Sequence, residues 1–143
     1  MDAAQKTARI AQIRRELPPL RNSRDDNVRN RNRSVEQIED LRRASTKLRD
    51  CLNTMGGIRR KVRDCHNIVE QQHFSGIRRR EVESRLGETS ERVRLQQEQH
   101  VQNRERIERL INTLRANRDE LNRIINVQNN RITALETELR GLW

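Results

Sequence analysis

The chain has 143 residues, 31% hydrophobic, 1% aromatic and 36% charged, with a formal net charge of +10. A compact globule of this length needs more large apolar side chains for its core, so the composition argues against an ordinary globular domain and for long helices with narrow apolar stripes. The positive charge is nearly all arginine, with lysine only at 6, 47 and 61; this suits carboxylate or phosphate partners, although acid–arginine pairs four residues apart, such as Glu105 with Arg109 and Glu136 with Arg140, also absorb much of it.

Residues 2–16 read as a short helix with Ile10, Ile13 and Leu17 on one narrow face. Leu17-Pro18-Pro19-Leu20 is expected to end it, because proline removes amide donors and restricts the residue before it. Residues 21–33 are polar, basic and almost without apolar side chains, which predicts a linker or basic arm. Residues 1–33 are therefore expected to be a short helix followed by a Pro-containing basic linker.

Ser34-Val35-Glu36-Gln37 fits a capping box and predicts a helix over about 34–72. Its apolar positions are Ile38, Leu41, Leu48, Leu52 and Met55, with Ser45 in one slot. Gly56-Gly57 predicts a kink or short break, since each glycine costs about 1 kcal/mol relative to alanine inside a helix. Beyond it the stripe reads as resuming out of phase at Ile58, Val62, Cys65 and Val69. His73-Phe74-Ser75-Gly76 is the next interruption, and Gly76 suits a left-handed helix end. A tight turn near 73–76, carried by Phe74 and Gly76, would open a second helix over about 77–142.

The last third of the chain holds the strongest pattern. Ile107, Ile111, Leu114, Leu121, Ile125, Ile132, Leu135, Leu139 and Leu142 step by four and three, with Arg118 and Gln128 in the remaining slots. The mean spacing of about 3.5 is the period of a left-handed coiled coil. The expected fold is all-α: a long helical hairpin over residues 34–143 extending into a coiled coil. In a hairpin turning near 73–76, residue x faces about 149 − x, so a helix starting at Ser34 leaves residues 116–142 without a neighbour. Either the N-terminal helix folds back over them or another chain covers them. The second fits the seam better, because Ile10, Ile13 and Leu17 cover little of it. A partner helix, from a second copy or a different protein, is therefore expected on the seam.

No residue pattern carries catalysis. The three histidines, His66, His73 and His100, are scattered, and no glycine-rich phosphate loop, nucleophile elbow or metal-ligand cluster is present in the sequence. No enzyme, cofactor, metal or small-molecule substrate is expected. Cys51 and Cys65 form no metal motif, and Cys65 reads as a small core residue. With no signal peptide and no membrane-length apolar run, a soluble protein in a reducing compartment is expected. Arg59, Arg60, Lys61 and Arg63, with Arg78, Arg79 and Arg80, would form a basic zone near the turn, suited to nucleic acid or another acidic surface. No aromatics interleave them for base stacking.

Phe74-Ser75-Gly76 resembles the Trp-X-Gly turn of the small helical-hairpin proteins exported by type VII secretion, with Phe in place of Trp. The long second helix is similar to the small partners of Leu-X-Gly toxins. The resemblance implies a non-catalytic hairpin that binds the helical domain of a larger toxin. The chain departs from that family in the length of its second helix, its arginine content and the lack of an export motif after the turn. The residues themselves point first to a coiled-coil assembly protein and, in second place, to a basic nucleic-acid-associated protein.

Overall fold

A computed structural model describes residues 1–71 and 76–143. It is all-α, a hairpin of two helices: α1 (Ala3–Gln71) and α2 (Ile77–Leu142). The chain forms two compact units, residues 1–39 with 112–143 and residues 40–111. Each contains a stretch of α1 and a stretch of α2.

The first helix begins on a reciprocal cap. Asp2 Oδ1 accepts from the Gln5 amide at 2.7 Å, and Gln5 Oε1 accepts from the Asp2 amide at 3.1 Å. This is the capping-box arrangement, at D-x-x-Q, and it satisfies two amides that a helix start leaves without partners. Ser34, expected to cap a new helix, lies inside α1 instead, and its hydroxyl donates to the carbonyl of Asn30 at 3.2 Å. The linker expected over 21–33 is helical as well, and Pro18 and Pro19 are internal to α1. The prolines remove two helical hydrogen bonds. Packing offsets the loss: Leu17 on one side is buried and Leu20 on the other is half-buried, both against α2.

In the unit of residues 1–39 and 112–143, Ile13, Leu17, Ile132 and Leu135 form the core, with Leu20, Leu139 and Leu142 packed against it. Ion pairs flank this core: Arg9 with Glu138 at 2.5 Å, Glu16 with Arg131 at 3.1 Å and Arg21 with Glu136 at 2.6 Å. The paired numbers run from 147 (Arg9 with Glu138) to 157 (Arg21 with Glu136), close to the register of 149 expected for a hairpin turning near 73–76. Arg14 lies over the Trp143 ring, 5.2 Å from its centroid. Farther along, the seam becomes polar. Asn27 donates to Gln128 Oε1 at 3.1 Å and Gln128 donates to Ser23 Oγ at 3.0 Å, while Arg24 and Arg31 reach Asn129 and Asn122.

In the unit of residues 40–111, α1 runs through Gly56 and Gly57 without a break. The stripe also keeps its phase there. Val62 is half-buried and Val69 is buried, both on the rhythm of Leu48, Leu52 and Met55, whereas Ile58 and Cys65 fall outside it and are exposed. The apparent phase shift comes from Arg59 and His66, which fill the seam slots with polar side chains. Cys65 is therefore no core residue, and Cys51 is exposed too. Across the seam, Ser45 is buried. Its hydroxyl donates to Glu108 at 3.3 Å and accepts from Arg104 at 3.4 Å.

The turn expected at 73–75, with Phe74, lies outside the described residues. Gly76 has a φ of 80°, in the left-handed region that glycine enters without a Cβ clash. No helix among the described residues is long and apolar enough to cross a membrane.

Candidate functional site

The nine seam residues lie on one face of α2. Ile111, Ile125, Ile132 and Leu135 are buried, and Ile107, Leu114, Leu121, Leu139 and Leu142 are half-buried. The stretch expected to await another chain is occupied. Residues 112–143 pack against the chain's own first 39 residues, as the Ile13–Leu17–Ile132–Leu135 core and the flanking ion pairs establish. The physical reason is the continuity of α1. A helix starting at Ser34 would leave the seam bare, but one starting at Ala3 reaches all of it. Gln128, a polar seam residue, finds its partners in Asn27 and Ser23 of α1 rather than in solvent.

The charges beside the seam follow from pairing within the protein. Glu138 is held below the usual carboxylate range, first by its hydrogen bonds from Arg9 and then by the nearby positive charge. Glu91 and Glu120 are lowered in the same way by Arg94 and Arg123 on their own helix. Many of the arginines are thus engaged in surface pairs, each worth little to stability.

The basic zone is divided by helical geometry. Residues four apart share a helix face and adjacent ones do not. Arg59 and Arg63 accordingly line one cleft of about 320 Å³ with Val62, His66, Glu83, Leu86, Gly87 and Ser90. Arg60, Lys61, Arg78 and Arg80 are exposed and are not among its lining residues. Arg79 is half-buried, with Nε 2.9 Å from Glu83. Arg59 donates to Gln97 at 3.1 Å, and His66 Nε2 stands 3.6 Å from Glu70. Sequence reasoning missed His66, Gly87 and Ser90 as members of this cluster. The signal for His66 was its place seven residues after Arg59, two turns along the same face.

No group of three or more His, Cys, Asp or Glu side chains among the described residues could hold a metal ion. The cleft's cations could hold an anion, and the rest of the hairpin presents helix faces. Compared with known proteins, the chain matches no family model, no curated protein and no solved structure.

Proposed function

We propose that this is a non-enzymatic helical assembly protein, a structural component, scaffold or adaptor that acts through helix–helix contacts. The observation that carries the reading is the apolar surface remaining after the hairpin closes. In the unit of residues 40–111, Leu110 is 48% exposed, Val101 45% and Ile58 39%, beside the seam. Val101 and Leu52 border a further open cleft on that unit. A helix with a single neighbour buries one stripe, and apolar side chains at its margins gain from a second. The core is also thin, with polar residues at many seam positions, so association would add burial that the hairpin lacks.

The test is solution mass by light scattering together with circular dichroism. Wild type is expected to associate. Leu110→Glu and Val101→Glu are expected to lower the mass while helicity stays unchanged, because a charge is costly to bury in a contact and harmless on a free surface. Wild type that stays monomeric over a wide concentration range removes self-assembly and leaves contact with a different chain. A second reading is a basic nucleic-acid-associated protein, favoured by the exposed Arg60, Lys61, Arg78 and Arg80. Duplex binding that falls steeply across a salt series supports it, and no binding at low salt rejects it.

A further inference from the structure

We infer that the cleft in the unit of residues 40–111 is a binding site for a phosphate-class oxyanion, either free phosphate or a small phosphomonoester. Arg59, Arg63 and His66 stand in a row along α1, one turn apart, and face Gly87 and Ser90 of α2 across a space of about 320 Å³. The charges do not balance within it. Glu83 is the cleft's one acidic lining residue, and Arg79 already engages it at 2.9 Å. Arg59 is tethered through one nitrogen to the neutral Gln97, which orients its guanidinium and leaves its charge uncompensated. Arg63 has no ion pair among the described residues. Two positive charges therefore meet in one cleft, and the His66 imidazole, beside Glu70, adds a polar group to the same row.

The shape agrees with the charge. Gly87 contributes no side chain, and a Cβ built on it would meet nothing within 4 Å, so the space in front of the arginines stays open. Guanidinium forks bind tetrahedral oxyanions in a bidentate manner, and the Ser90 hydroxyl supplies a further donor on the opposite wall. The cleft suits one tetrahedral group; its arginines form a cluster and not a track along a polymer backbone. This reading stands apart from the assembly proposal, which rests on other residues.

The experiment is calorimetric titration of the full-length protein with inorganic phosphate and with phenyl phosphate, at constant ionic strength set with chloride. Saturable binding is expected. Arg63→Gln and Arg59→Gln should each weaken it by about tenfold or more. Arg80→Gln, which removes an equal charge outside the cleft, should leave it unchanged. Gly87→Leu should block it by filling the space, with circular dichroism verifying that each variant keeps its helices. Phosphate preferred over phenyl phosphate points to the free ion, and the reverse to a monoester; either supports the site. Equal losses in Arg63→Gln and Arg80→Gln overturn it, as does unchanged affinity in a folded Gly87→Leu protein. Binding of a short DNA duplex with none of either phosphate also overturns it, and would assign the basic zone to an extended backbone.

Discussion

Leu135 is fully buried, packed with Ile13, Leu17 and Ile132 of the same chain. Leu135→Ala removes three buried carbons, and at about 0.8 kcal/mol each the lost transfer energy is about 2.4 kcal/mol. A cavity adds to this, but the surrounding Leu20, Leu139 and Leu142 are only partly buried and can move inward. The total should therefore be about 3 kcal/mol, in the lower part of the range for buried leucine truncations. Urea unfolding followed by far-UV circular dichroism measures it. Leu95→Ala, at a half-exposed position outside the proposed contact, is the control and should stay within about 0.5 kcal/mol of wild type. Ile13→Ala combined with Leu135→Ala should cost less than the sum of the two single changes, because the residues share one cluster. Equal stability of Leu135→Ala and Leu95→Ala, or strict additivity with Ile13→Ala, would refute the packing of residues 112–143 on residues 1–39.

Three other outcomes follow from the same structure. Pro18→Ala with Pro19→Ala should raise stability by about 1–3 kcal/mol in urea, since both prolines lie inside α1; a loss would mean that the chain needs a break there. Gln128→Leu alone should be destabilising, because it strips Asn27 of its acceptor. Asn27→Leu with Gln128→Leu should recover the loss and gain about 1 kcal/mol, measured by thermal melting. Glu138 has a folded pKa below the ordinary 4.5, so the stability from its pairing with Arg9 is present above that pH and disappears as pH falls through the lowered value. Glu138→Gln should therefore be less stable than wild type at neutral pH and converge with it in acid. A gap that persists unchanged at low pH would contradict the pairing.

The fold class, the boundary of α2 and the phase of its seam were legible because one periodicity runs through residues 107–142 with few interruptions. The first helix was not, since its seam passes through Arg24, Asn27, Arg31, Ser34, Ser45, Arg59 and His66, which keep the rhythm of three and four without being apolar. Looking only for apolar residues along that seam suggests a linker at 21–33 and a phase shift after Gly57. A helix start at residue 2 was legible, but the S-x-x-Q at Ser34 suggested a second start that the continuous α1 does not have.

The basic zone shows the same division. Its arginines were visible in the sequence, but which of them converge depends on helix faces and on the facing helix of the hairpin. Gly87 matters only because it lies across from Arg59 and Arg63.

Helicity and the 3.5-residue seam of α2 follow from local periodicity and composition, so both were legible in the residues alone. What covers the seam is a property of the fold. Proline and polar content are local penalties of a few kcal/mol, and burial of Leu17, Leu20 and Ile13 against Ile132 and Leu135 outweighs them. That burial exists only when residues distant in the chain meet.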